Sequence, residues 1–470
     1  MGSERLIFII ISTGLCMFCS AIIMIKYRLV FPIVLIVAAL YGPISASAMS
    51  FTFMSASMPM ANLLLGFIGA MAVASLIVPK ISRVHSPLGD MWGSASKLSR
   101  FILIIFLVMI CIAVVNTLLE GERAAGTPVA IAIWFFALVG GFSAPDSSEP
   151  PIPERWFLFK SVTLALAISL IAVWLIGSGG YIFVILSAMF LTSFAMFISS
   201  GSPVYRLATA AIVVICLYAL MRFFSSSQSS LAGVLFGGVW MSIALFAQRA
   251  GWVARFKRLL AIMVLVSILV LPALTYMLYN NQVKQSGAAG EMVFWGVDSF
   301  GETESNLLDR PARWEALLDH IREHPFNLKF TNFQNMTYTQ IPDLAEAASP
   351  HNIIITLGVF FGIPGITIGC ILIIALINSL LEAIANCKPR SLPITIAAFG
   401  IVCGFLFSNM WTNALFTWPI ETTLFSLAIL ASWQTLTATK TEKVRIAGSD
   451  MEAEGSEGDL VLERGGEKTD

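Results

Sequence analysis

Residues 349–378 read SPHNIIITLGVFFGIPGITIGCILIIALIN. From Asn352 to Asn378 no charged side chain occurs, and a helix that crosses a bilayer needs roughly 20 mostly apolar residues. Backbone at membrane depth must satisfy its own hydrogen bonds, which a helix does within one segment. The stretch therefore reads as a membrane helix rich in glycine, with Gly358, Gly362, Pro364 and Gly365 near its head. At its head, Ser349 reads as the N-cap and Pro350 as the first helical residue, which places His351 in the first turn. The positive end of the helix dipole disfavours an imidazolium there. A neutral His351 suits a general base acting on a hydroxyl; the plainer alternative is a headgroup-level anchor.

The same composition runs through the chain. Of 470 residues, 57% are hydrophobic and 12% charged, with mean hydropathy +0.84, where soluble domains carry about a quarter charged residues. Apolar runs lie near 6–24, 30–48, 60–78, 101–119, 127–142, 159–176, 180–199, 205–222, 230–248, 259–278, 352–378, 392–408 and 418–436. They predict an all-α polytopic membrane bundle of about 12–13 spans rather than a barrel of alternating strands. Zero net charge argues against a nucleic-acid partner. The seven cysteines lie almost all in apolar runs without metal or redox spacing, and read as packing residues. Ser45-Ala46-Ser47-Ala48 has the look of a cleavage site, but two apolar runs precede it.

Lysines and arginines cluster at Lys26/Arg28, Lys80–Arg100, Arg249–Arg258 and Lys388/Arg390. Counting spans puts all four clusters on one side, the cytoplasmic one. The chain then divides into N-terminal membrane helices (1–278), an extracytoplasmic loop (279–350), C-terminal membrane helices (351–436) and a polar cytoplasmic tail (437–470). In a Gram-negative cell the loop faces the periplasm from the inner membrane.

A loop of that length between membrane helices is long enough to carry function. Within it, Asp309-Arg310-Pro311-Ala312-Arg313-Trp314 opens an amphipathic helix that extends to about Glu323. Trp314, Leu317, Leu318 and Ile321 recur at helical spacing, and Pro325 ends the helix. The stripe is expected on the membrane surface or against the bundle. Arg310 at the helix start is a candidate anion site. Arg222, the serine-rich stretch around Gln228, and Glu421 are further outward-facing polar residues. His320 and His324 stand four apart on the helix, but no third ligand accompanies them and no metal site is assigned.

This order of features resembles the O-antigen ligase/O-antigen polymerase superfamily of bacterial membrane glycosyltransferases. The resemblance rests on Arg310-x-x-x-Trp314 running into a helix and Pro325, then on His351-Asn352 heading a glycine-rich membrane helix. Its pattern covers about 222–435, and its specific part about 300–366. The chain differs at Ser227-Gln228-Ser229, where members often carry Ser-Arg and small residues, and at Asn327 and Lys329, where glycines are usual. The resemblance implies a GT-C-like bundle that needs no cofactor. The donor would be an undecaprenyl-pyrophosphate-linked glycan, and the acceptor lipid A-core or a second glycan. His351 and Arg310 would be catalytic, with Arg313, Arg222, Trp314, Asn352, Gln228 and Glu421 contacting substrates or membrane lipids.

Two other classes fit parts of the pattern. A transporter or flippase of lipid-linked oligosaccharide would place charges near the bilayer midplane, and the runs hold almost none apart from Glu421. A scaffolding membrane protein explains the composition but not the pairing of Arg310 with His351.

Overall fold

The computed structural model describes residues 50–53, 56–59, 97–119, 157–176, 182–199, 202–222, 224–286, 314, 317–330, 352–387, 389 and 391–411, with single positions at 40, 44, 424, 425 and 428. The apolar runs near 6–24, 30–48, 60–78, 127–142 and 418–436 lie outside the described residues apart from those single positions, as does the tail. The remaining eight fold as helices: α1 (Lys97–Leu119), α2 (Phe157–Ile176), α3 (Ile182–Ser199), α4 (Pro203–Arg222), α5 (Phe224–Arg249), α6 (Trp252–Ser286), α7 (Ile353–Asn386) and α8 (Leu392–Ser408). Among the described residues, four segments are long and apolar enough to cross a membrane: Ile182–Ser199, Pro203–Arg222, Ser229–Arg249 and Ile353–Asn386. The architecture is that of an all-α polytopic membrane protein. A small exception is an antiparallel hairpin, β1 (Ser50–Phe53) with β2 (Ala56–Pro59), in register Ser50–Pro59 to Phe53–Ala56. It falls in a connection where no strand is expected from the sequence.

The core forms around α3, α5 and α8. α8 is apolar on every side and buried from Pro393 to Ser408, and α3 is buried over most of its length, as expected of helices without a polar face. α4 is the contrast: Val204, Leu207, Val214, Ile215 and Tyr218 are all at least 65% exposed, an apolar surface suited to lipid. Two glycine pairs set the distance between α5 and α8. A Cβ on Gly233 would lie 2.6 Å from the Gly404 carbonyl oxygen, and one on Gly237 would lie 2.6 Å from that of Gly400. Gly233-x-x-x-Gly237 thus faces Gly400-x-x-x-Gly404 backbone to backbone, the small-residue packing that membrane helices use where no hydrophobic force separates them from lipid. Phe236 and Phe407 stack beside the seam at 4.3 Å between ring centroids.

α7 is not one straight span. Gly362 takes φ +66 and ψ −158, and Pro364 follows inside the helix. A short limb (353–361) and a long limb (363–386) meet there and fold against each other. A Cβ on Gly365 would lie 2.5 Å from the Leu357 carbonyl oxygen and one on Gly369 would lie 2.5 Å from the Leu357 side chain, although a straight helix would separate these positions by about 12 Å or more. The expectation of a continuous helix over 352–378 is corrected accordingly. The long limb has 24 residues (363 to 386), enough to cross a bilayer by itself. Its glycines serve this fold: Gly362 supplies the positive φ, and Gly365 and Gly369 admit the short limb.

At the other end of α7, Glu382 pairs with Lys257 of α6 at 3.1 Å. The pair ties Lys257, within the Arg249–Arg258 cluster, to the C-terminal part of α7. α6 bends at Phe256 (φ −118, ψ 18) just beside this end.

Candidate active site

The opposite end of the bundle collects the described polar residues singled out by sequence. α7 begins at Ile353, and its N-cap is Asn352, with extended φ −152 and ψ 119. The Asn352 Oδ1 accepts from the Ile354 and Ile355 amides at 3.0 and 3.1 Å. This corrects the assignment of the cap to Ser349 and of His351 to the first helical turn. His351 precedes the cap in sequence. An asparagine immediately before an apolar run was the available signal.

Asn352 also fastens the short limb to the end of α8. Its Nδ2 donates to the Met410 carbonyl at 3.3 Å, and the Ile353 amide donates to the Asn409 carbonyl at 2.9 Å. Asn409 is fully buried, and its own Nδ2 donates to the Phe405 carbonyl at 2.8 Å. The Asn352 side chain is buried and committed to these bonds, which favours a role in holding the head of α7.

The loop helix reaches the same place from the other motif. Residue 314 and residues 317–323 are helical. Leu317 and Ile321 are buried against Ile355, Leu357, Val359 and α1 residues Met109 and Ala113, with Trp314 half-buried beside them. The apolar stripe thus lies on the bundle, while Leu318, expected on the same stripe, is 41% exposed. Gly358 leaves room for Ile321, whose Cδ1 would lie 2.6 Å from an added Cβ. The Trp314 ring sits 6.2 Å from the Trp411 ring. Trp314 and Asn352, one from each motif, therefore converge on residues 410–411 at the end of α8.

Behind this point, the segment after Pro325 enters the break in α7. The Ile363 amide, displaced from its helical partner by the turn at Gly362, donates to the Pro325 carbonyl at 2.9 Å. Pro364 has no amide to offer the Phe360 carbonyl, which instead accepts from the Lys329 amide at 3.0 Å. The Val359 carbonyl accepts from the Asn327 Nδ2 at 2.7 Å. On the far side, α1 holds the segment: Asn116 Nδ2 donates to the Leu328 carbonyl at 2.9 Å, and the Phe330 amide donates to Thr117 Oγ1 at 3.0 Å. Broken membrane helices persist where neighbouring groups take up the freed backbone bonds, and here the loop does so. Asn327 and Lys329, which mark this chain as different from the family pattern, are among the residues that do it.

Arg222 is exposed at the C-terminus of α4, and Gln228 lies in the first turns of α5. Gly233 of α5 meets Gly404 and Ser408 of α8, so both residues belong to the end of the bundle where Asn352 docks. A small cavity lined by Ser187, Ser230, Gly233, Gly404 and Ser408 lies between α3, α5 and α8 near this end. Arg310, Arg313, His351 and Glu421 lie outside the described residues.

The His320 and His324 rings meet at a tilt of 54°, with centroids 4.7 Å apart. Burial, then the neighbouring His324, hold the His320 imidazole below its ordinary pKa, with Glu323 opposing. His320 Nε2 is buried without a hydrogen-bond partner among the described residues.

Residues 211–370 match the family model described as O-antigen ligase. The match supports the resemblance to the O-antigen ligase/polymerase superfamily over this part of the chain. No curated protein matches the chain. The O-antigen ligase stretch contains α5, α6, the loop helix with its strap, and the broken head of α7. It therefore contains both motifs and the Asn327–Val359 bond between their flanks, while residues 410–411, on which Trp314 and Asn352 converge, lie beyond it. The superfamily is one of membrane glycosyltransferases that act on lipid-linked glycans, and the helices of this chain fit an integral membrane protein of that kind.

Proposed function

We propose that the protein transfers a glycan from undecaprenyl pyrophosphate to an acceptor hydroxyl at the periplasmic face of the inner membrane. The convergence of Trp314 and Asn352 on residues 410–411 supports this reading. Their neighbours in sequence, Arg310 and Arg313 on one side and His351 on the other, carry the chemistry. The end of the bundle opposite the Lys257–Glu382 pair is the headgroup level at which a lipid-linked donor presents its pyrophosphate.

In this reading Arg310, aided by Arg313 or Arg222, binds the pyrophosphate, since guanidinium matches phosphate oxygens in planar pairs. The sugar C1–O bond to the pyrophosphate breaks and a C1–O bond to the acceptor forms. The acceptor's proton passes to His351, and undecaprenyl pyrophosphate leaves with its charge held by the arginines. Trp314 offers an apolar wall to the donor, while Gln228 and Glu421 supply hydrogen-bonding groups to sugar hydroxyls. Ligase and polymerase action share this donor site and differ in the acceptor, lipid A-core or a second lipid-linked glycan.

Alanine at Arg310 and at His351, expressed at wild-type levels in the native host, tests the assignment. Loss of the surface glycan together with accumulation of the lipid-linked donor is expected. Unchanged glycan products in both variants would show that these residues do not carry the reaction.

A further inference from the structure

The strap that enters the break of α7 has a consequence for the reaction. We propose that Asn327 is a positioning residue, which ties the loop motif to the head of α7 through the Val359 carbonyl; the inference rests on the transferase reading. Among the described residues, hydrogen bonds that join the strap to the break include two backbone to backbone, Ile363 to Pro325 and Lys329 to Phe360, and a third from the Asn327 side chain. The third, from Asn327, is the one that depends on a side chain.

Its target lies in the short limb, which has only nine residues (353 to 361). The head of that limb is Asn352, next to His351 in sequence. The limb's flank receives Leu317 and Ile321 of the loop helix, whose start leads back to Arg313 and Arg310. One short limb thus follows His351 in sequence and receives the helix that follows Arg310 and Arg313 in sequence. Asn327 closes the connection from below, and Asn116 and Thr117 of α1 brace the strap from behind. A shift of the strap lets the loop helix slide on the limb, changing the distance from the arginines to His351 without removing any group that touches substrate.

The test uses the purified full-length protein with an undecaprenyl-pyrophosphate-linked glycan as donor and lipid A-core as acceptor, with amide hydrogen exchange measured in parallel. In Asn327→Asp the donor is lost and a carboxylate faces the Val359 carbonyl. Exchange over 317–330 and 353–363 is expected to rise at least about tenfold while α5 and α8 stay protected. kcat is expected to fall about tenfold or more with the KM for donor within about twofold, as misplacement of reacting groups does. Asn116→Ala releases the strap from α1 and is expected to give the same pattern, more weakly, which keeps the test valid if Asn327→Asp does not fold. Strap exchange that rises with kcat unchanged would overturn the proposal, as would a strap that stays protected in both variants. Wild-type protein that transfers nothing would overturn the transferase reading, and with it the role in reaction; the exchange measurement would then still decide whether Asn327 latches the loop.

Discussion

Asn352 shows how much one polar residue organises at the head of α7. Its side chain caps two amides and reaches the Met410 carbonyl. Asn352→Ala removes all three bonds, and the lost cap alone costs about 1 kcal/mol. Asn352→Ser keeps an acceptor for the cap and is expected to lose clearly less, which thermal unfolding in detergent will show. At this scale the sequence was partly legible. The polar head of the helix was evident, but the choice between Ser349 and Asn352 as cap depends on where the chain turns, which no local pattern records. Gly362 and Pro364 were visible only as parts of a glycine-rich helix. That they produce a fold-back was not, because the partners for the freed carbonyls lie more than thirty residues upstream, at Asn327 and Lys329.

Among the elements, the α5–α8 seam and the loop helix carry the clearest consequences. Gly404→Ala would put a Cβ 2.7 Å from the Gly233 carbonyl oxygen, and Gly237→Ala 2.6 Å from that of Gly400, whereas Gly238 has nothing nearer than Phe194 at 3.8 Å. Overpacking of this kind costs about 1–3 kcal/mol, so Gly404→Ala and Gly237→Ala are expected to lower the thermal stability and Gly238→Ala to leave it nearly unchanged. The glycine spacing on both helices could have been read from the sequence as a packing motif; that the two motifs face each other could not. For the loop helix, His320 is held below its ordinary pKa when docked. An undocked loop therefore binds more protons in the window between that lowered value and about 6.5, so docking is strongest above about 6.5 and weakens as pH falls through the window. Amide exchange over 317–330, corrected for intrinsic rates, should be faster at about pH 5.5 than at about pH 7.5, and His320→Gln should flatten the dependence. The helix and its stripe followed from periodicity; whether it met lipid or protein did not, since both are apolar.

For the whole molecule, apolar runs predicted the helical membrane architecture, and the Lys257–Glu382 pair ties the basic start of α6 to the C-terminal part of α7. The layering of the bundle was not legible. α3, buried, and α4, largely exposed, are both apolar enough to span a membrane, so hydropathy does not say which one faces lipid. The site is a product of that hidden layering: Trp314 and Asn352 stand thirty-eight positions apart (314 to 352) and meet on the end of α8, later still in the chain. The purified protein given an undecaprenyl-pyrophosphate-linked glycan, with and without lipid A-core, tests the central claim most directly. Transfer to lipid A-core, or a ladder of longer lipid-linked glycans without it, in either case abolished in His351→Ala, is the predicted result. Transfer that persists in His351→Ala, or none with matched donor and acceptor while the glycan lipid crosses the bilayer of reconstituted vesicles, would contradict it.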